Sequence, residues 1–543
     1  MAGICFLLSI VATWPLALHV HSHMPLGQEG VATVPLLNAW TMWWNGQAAE
    51  QGFSNYWDAP IFYPERDALA FSEPLPTTLA AWPLYKLTGS LTWSYNTLLL
   101  VSLTLNGIST FALLRHLRLD HRAALLGGAM MTVLPFVFAE LGVWQLVALF
   151  PTIWTLHALL LWVSRPSYGR GALLGGVGGL TYWTCGYYGL FLATLLAASA
   201  WILLGRKWRS PRTWLRLLLA FAVAGTMIGP VARVQMRVAK RHGLQRPAET
   251  VRRLSADWRD YSAPPYPSTW QRLHRWISGQ QQPLPPRANL FRLHAGWVKY
   301  GLAVLGIVVA VRTRPRWKRR WAVFALTLLV LAFCLSLGLR AAAGGISPYA
   351  WLMQWIPGYA QIRSPFRFAM FVQMMCVLFA ATGIHGALRF ANARLRGRSR
   401  LALRFVVFSI GLLAVVELWP PPAQLVRVPL SADKPAWAEW VREHTPRDAI
   451  LVCFPMPNRL TVEAYESATM WMIWQTRHER RMVNGYSAFT PQSHLTLQQR
   501  VARFPDDASL RALAEWGVTY CVVKRSAGAS SLERVTTDGR WRL

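Results

Sequence analysis

Carboxylates are the informative minority in this chain, which has 56 Lys and Arg against 24 Asp and Glu. Between residues 91 and 416 the acids are Asp120, Glu140, Glu249, Asp257 and Asp260; a second group, Glu29, Glu50, Asp58, Glu65, Asp67 and Glu73, crowds residues 29–73. A hydroxyl is a poor nucleophile at neutral pH, and a carboxylate placed to take its proton is the usual remedy. Asp58, between Trp57 and Pro60 in a W-D-A-P turn, and Glu29, just before a Trp-bearing helix, are the candidate bases. Asp257 and Asp260 come next, and Glu73 is a candidate substrate contact. Glu65 and Asp67 flank Arg66 and read as a solvated turn. For each acid the plain alternative is a solvated carboxylate balancing a nearby Arg.

Cations supply the complementary chemistry. Arg363 and Arg367 stand four residues apart in IPGYAQIRSPFRF, with Pro365 at a helix start. Guanidinium pairs suit bidentate phosphate contact, and a helix N-terminus adds its own anion preference. Snorkelling to lipid headgroups is the competing reading. His19, His21 and His23 alternate, so an extended strand would put three imidazoles on one face for a zinc or copper ion. No metal ligand set is assigned; a divalent metal stays open. Trp40, Trp43 and Trp44 fall at i, i+3 and i+4 of 35–47, which predicts a short amphipathic helix in the membrane interface. Trp40 and Trp44 would then wall a lipid-substrate groove.

The elements that must position these residues are membrane helices. Of 543 residues, 53% are apolar and only 15% charged, and Trp occurs 29 times. That excludes disordered, collagen-like and disulfide-scaffold chains. The net charge of +32 comes in short bursts between apolar runs, the pattern of cytoplasmic loops rather than of a nucleic-acid face. The six cysteines lack metal-ligand spacing. Eleven spans are predicted at 3–20, 95–114, 122–140, 144–163, 170–185, 187–205, 213–231, 297–312, 321–339, 366–388 and 401–418. Residues 76–89, interrupted by Pro76 and Pro83, suit an interfacial or re-entrant piece. The bursts 115–122, 165–170, 206–216, 312–320 and 389–404 then share the cytoplasmic face. Loops 21–75, 232–296 and 340–365 lie on the other. The reading is thus an all-α polytopic bundle over 1–424 and a small soluble α/β domain over 425–543 on the outer face. In that domain 449–454 and 518–523 read as strands, and 462–474, 495–504 and 509–516 as helices.

Six stretches, VPLLNAWTMWWN (34–45), YWDAPIFYP (56–64), SEPLPTTLAAWPL (72–84), LSADWRDYSAPP (254–265), IPGYAQIRSPFRF (356–368) and RMVNGYSAFTP (481–491), together with this layout, resemble the GT-C superfamily of integral-membrane glycosyltransferases, in particular bacterial dolichyl-phosphate-mannose-type transferases. The resemblance implies a polyprenyl-phosphate sugar donor and a glycan, lipid or protein acceptor at the outer face of a bacterial inner membrane. It also implies inverting transfer, with a first-loop Asp as base or metal ligand. Here the stretch before PLLNAW reads GQEGVATV, with Glu29 its only acid, so Glu29 or Asp58 would carry that role. A catalytically degenerate relative that scaffolds envelope polysaccharide assembly is the alternative. A transporter or flippase is a further one, although the mid-bundle carboxylates of ion-coupled carriers are missing.

Overall fold

The computed structural model describes residues 1–28, 30–278, 291–313, 316–341, 347–429 and 436–524, so Glu29 lies outside the described residues. The protein is an integral membrane protein built mostly of helices. Among the described residues eight are long and apolar enough to cross a membrane: Leu91–His116, His121–Ala139, Trp144–Ser164, Gly186–Arg209, Pro211–Arg241, Arg316–Ser336, Pro365–Arg394 and Gly397–Val416. Three expected spans form shorter helices, Ala2–Ala12, Tyr168–Thr184 and Trp297–Arg312, of 11, 17 and 16 residues. The first rises about 17 Å against a hydrocarbon core of about 30 Å. It stops where Pro15 withdraws a backbone donor, and the chain continues through a short 3-10 turn, Leu16–Leu18. Residues 76–89 form a 3-10 turn, Pro76–Ala81, and a seven-residue helix, Trp82–Thr88, too short to cross.

Pro365–Arg394 is apolar all round and buried on nearly every side, which makes it the axis of the bundle. Against it Trp297–Arg312 packs backbone to backbone. A Cβ on Gly306 would fall 1.8 Å from the Phe379 carbonyl oxygen, so no larger residue fits that crossing.

The basic bursts meet at one end of the bundle. Lys207 donates to the Val163 carbonyl (2.6 Å), Arg320 lies against Gly205, the Asp120 amide donates to His385 Nδ1 (2.9 Å), and Lys318 senses both Arg389 and Arg118. At the other end the long loops interlock. Asp67 pairs with Arg237 and Arg241, Gln28 donates to the Pro265 carbonyl, and the Arg246 amide donates to the Ala360 carbonyl.

The C-terminal stretch carries a three-stranded parallel sheet in the order Arg481–Met482, Ile450–Phe454, Tyr520–Val523. Helices Gln492–Arg500 and Asp507–Glu515 pack on it around a small core of Val452, Val483, Leu497 and Leu513, while Ala436–His444 and Glu466–His478 bury Val441, Met472 and Ile473 in the main core. It does not hang free. Residues 60–63 run along the sheet edge, where the Met482 amide donates to the Pro60 carbonyl (3.0 Å) and the Tyr63 amide to the Met482 carbonyl (3.0 Å). Residues His23–Pro25 pair antiparallel with Leu425–Arg427. The first long loop and the C-terminal sheet therefore fold as one piece.

This clamp overturns the interfacial reading of the Trp helix. The helix runs from Thr33 to Glu50, and most of its residues are buried, because Glu466–His478 covers the face that the sequence assigns to lipid. Trp40 Nε1 donates to Gln475 Oε1 (2.9 Å), a contact 435 residues apart. The exposed amphipathic pattern belongs instead to Thr269–Ser278, where Trp270, Leu273, Trp276 and Ile277 fall on one face, all exposed. That helix starts at the end of Gly397–Val416: the Thr269 amide donates to the Glu417 carbonyl (2.9 Å), and Arg272 donates to the Trp419 carbonyl.

Candidate functional site

Glu73 is the acid that the fold treats differently. It sits in the irregular stretch 72–75 between two 3-10 turns, which is held from both sides. Gln235 Nε2 donates to the Ser72 carbonyl (3.0 Å), while Asn45 Nδ2 donates to the carbonyls of Pro74 (2.8 Å) and Leu75 (2.9 Å). Asn45 is itself fixed by the Tyr56 hydroxyl (2.7 Å). The carboxylate thereby reaches the point where the helices Tyr168–Thr184 and Gly186–Leu204 break at Cys185. There Glu73 Oε1 accepts the Tyr187 amide (3.3 Å), and Oε2 accepts Gln145 Nε2 (3.3 Å), which is held in turn by Asn38 (2.7 Å). A helix N-terminus favours an anion. Gly186 is required for this approach: a Cβ there would come 3.0 Å from Glu73 Oε1. Burial nonetheless raises the Glu73 carboxyl above the ordinary glutamate range, against the pull of Arg367 and these hydrogen bonds. Deep as it is, Glu73 keeps part of its surface accessible, as do Gln145, Tyr187 and Arg367.

Arg367 occupies the first turn of the axial helix. Its guanidinium lies 4.6 Å from the centre of the Tyr187 ring and within electrostatic reach of Glu73 and Glu140. Its Nε is buried without a hydrogen-bond partner among the described residues. Arg363 precedes the helix rather than sharing a face with Arg367, because Ile362 is extended and the first turn begins at Pro365. It faces Arg246 instead. Arg246, which sequence reasoning passed over, stacks 3.6 Å from the Phe489 ring centre and donates to the Ala488 carbonyl. Burial, with Arg363 beside it, pushes Arg246 down to about 10. Tyr187 is the common neighbour of Arg246 and Arg367. Arg363 reaches the group through Arg246, and Glu73 and Glu140 reach it through Arg367.

The other expected site residues lie elsewhere in the interlocked loops. Asp58 is exposed, and its Oδ1 accepts the Asp67 amide (2.7 Å), closing the turn that packs on the C-terminal sheet. Asp257 and Asp260 form a reciprocal capping box on the 3-10 turn Trp258–Ser262. Asp260 is fully buried, with Oδ2 on the Asp257 amide (2.7 Å) and Oδ1 without a partner among the described residues; burial pushes it up to about 6. Trp44 donates to the Tyr56 carbonyl (2.9 Å) beside Asn45, and Trp40 lies beneath the C-terminal helix. The histidines do not share a face: His21 packs on Trp93, and His19 on His23. No three His, Cys, Asp or Glu side chains among the described residues gather as a metal site. Glu73 and Glu140 both lie within electrostatic reach of Arg367.

Solved structures that share the overall fold of this chain are glycosyltransferases. The chain is similar in structure to the oligosaccharyltransferase of Archaeoglobus fulgidus in its apo form, with a TM-score of 0.51 and 13% identity over 96% of this chain and 68% of that one. It is also similar to two cryo-EM structures of mutant arabinofuranosyltransferase AftD from Mycobacteria, with TM-scores of 0.51 and 0.54 at 14% identity. These alignments cover 96% of this chain but 36% of AftD, so the chain spans about a third of that protein's length. No family model matches the sequence, and no curated protein matches it.

Proposed function

We propose that the protein transfers a sugar from a polyprenyl-phosphate donor to an envelope glycan, lipid or protein acceptor. One observation carries this reading: Glu73, a carboxylate with a raised pKa, and Arg367 stand within electrostatic reach of each other where two helices begin, and the space beside them is taken as the substrate cleft. Glu73 is the base in place of Asp58 or Glu29. It takes the acceptor hydroxyl proton as the acceptor oxygen attacks the anomeric carbon; the carbon–oxygen bond to phosphate breaks, and polyprenyl phosphate leaves with the bonding pair. A phosphodiester carries one negative charge and its leaving group approaches two, which suits the cations Arg246, Arg363 and Arg367.

The topology that goes with it is eleven crossings. On this reading the three short helices count as crossings, Tyr168–Thr184 running from Arg170 toward Glu73. With the basic loops in the cytoplasm, the cleft and the C-terminal 425–543 domain face outward, the periplasmic side of a bacterial inner membrane. Incubating the purified protein with a panel of polyprenyl-phosphate sugars tests the function. Release of polyprenyl phosphate supports transfer; donor binding without release over the whole panel would leave a scaffold, and movement of intact donor across vesicles a flippase.

A further inference from the structure

Between about 17 and 33 Å along the axial helix from Arg367, toward the basic end of the bundle, lies a recess with no part in the chemistry above. It holds about 80 Å³ between Trp297–Arg312, Arg316–Ser336 and Pro365–Arg394. Its walls are apolar, with Val309, Trp321, Ala325 and Phe379 among them. Beside it Val308, Val311 and Phe390 are exposed, so the recess opens toward the side of the bundle that lipid would cover. Its mouth is cationic: Lys318 and Arg389 line it, and Arg118 lies within electrostatic reach of Lys318. His385 also lines it. Because His385 Nδ1 accepts the Asp120 amide (2.9 Å), the ring proton sits on Nε2, which makes that nitrogen a donor. No carboxylate lines the recess among the described residues. Asp120, within electrostatic reach of His385, has its Oδ1 on the Arg122 amide (2.9 Å).

We propose that this recess binds an acidic glycerophospholipid, with its phosphate between Lys318, Arg389 and His385 and the start of an acyl chain along Trp321 and Phe379. Like charges gathered at the edge of an apolar groove repel one another, and an anion with an apolar tail relieves both problems at once. A zwitterionic lipid would bring a second cation to a mouth that already has an excess. A free phosphate would leave the apolar wall unused. The proposal stands independently of glycosyl transfer.

The test is a titration of the full-length protein in neutral detergent with phosphatidylglycerol, phosphatidylcholine or glycerol 3-phosphate, followed by thermal unfolding and by native mass spectrometry of retained lipid. Phosphatidylglycerol is expected to raise the melting temperature and to stay bound, with at least tenfold weaker half-saturation in Lys318→Gln/Arg389→Gln. Lys318→Gln alone should weaken it by a smaller factor and serves if the double variant does not fold. Equal effects of phosphatidylcholine, or an unchanged titration in both variants, would overturn the proposal. An equal effect of glycerol 3-phosphate would replace the lipid by a free anion and overturn it too.

Discussion

Glu73→Gln separates chemistry from architecture, because the two side chains have the same shape. The Gln carbonyl oxygen can take over the Tyr187 amide that Glu73 Oε1 now accepts. Its amide nitrogen then meets Gln145 Nε2, a donor facing a donor, since Gln145 Oε1 is already occupied by Asn38. That mismatch costs about 1 kcal/mol. The charge change works the other way. Burial raises the Glu73 pKa above its unfolded value, so the native state holds the proton more tightly, and stability falls as pH rises from the ordinary glutamate range through the raised value. Glutamine lacks that fall, so at pH 7–8 the variant should melt close to the parent. Turnover should not survive. Loss of a general base lowers the rate by about 10²–10⁴, or about 3–5 kcal/mol of barrier. The assay is release of polyprenyl phosphate from a labelled polyprenyl-phosphate sugar under single-turnover conditions, beside Asp58→Asn. In the parent, kcat/KM should fall on the acid side of the Glu73 pKa, above the usual carboxylate range. A folded Glu73→Gln protein within tenfold of parental turnover, with Asp58→Asn inactive, would refute the assignment and return the base to the W-D-A-P turn.

Four further outcomes follow from the same geometry. Arg367→Lys keeps the charge but loses the planar stack on Tyr187, so donor affinity measured by competition should drop at least tenfold. Gly186→Ala drives a methyl to 3.0 Å from Glu73 Oε1 and should lower kcat with little change in KM, read from steady-state kinetics. Asp260, pushed up from 3.8 to about 6, lowers stability as pH rises across that interval by as much as about 3 kcal/mol, and the loss persists above it. Asp260→Asn should therefore flatten the melting temperature between pH 4 and 7. Trp276→Cys, labelled with an environment-sensitive dye in a Cys334→Ser background, should emit in liposomes as from an apolar medium, because the exposed face of Thr269–Ser278 continues from the end of a membrane-crossing helix. A dye at the exposed Glu249→Cys is the aqueous control.

Apolar run length and the Lys/Arg bursts carry most of the bundle in sequence, since both are local and set by the bilayer. The eight long helices fall on eight of the eleven predicted runs. Length reading was weakest for 3–20, where Pro15 stops a helix inside an apolar run. Periodicity misled at Trp40, Trp43 and Trp44. Their spacing defines a face, but what covers it is Gln475 and its helix, more than 400 residues on, which no local pattern encodes. The site was legible in its parts: Glu73, Arg363 and Arg367 stand in the SEPL and IRSPFRF stretches. Its assembly was not. Glu73 meets Tyr187 across 114 residues, and Arg246 lies in a basic stretch with no spacing to mark it. One local signal was available, the Gly186–Tyr187 pair after Cys185, where a glycine inside a long apolar run marks a break with room for another group.

The most direct measurement is a cryo-EM structure of the protein with a non-hydrolysable polyprenyl-phosphonate sugar. The expected density puts the phosphonate within hydrogen-bonding distance of Arg367 and at least one of Arg246 and Arg363, with the anomeric carbon open to an acceptor oxygen bonded to Glu73. Phosphonate density beside Asp58, in the Asp257–Asp260 loop, or at the basic end of the bundle, with the Glu73 cleft empty at saturating ligand, would contradict it.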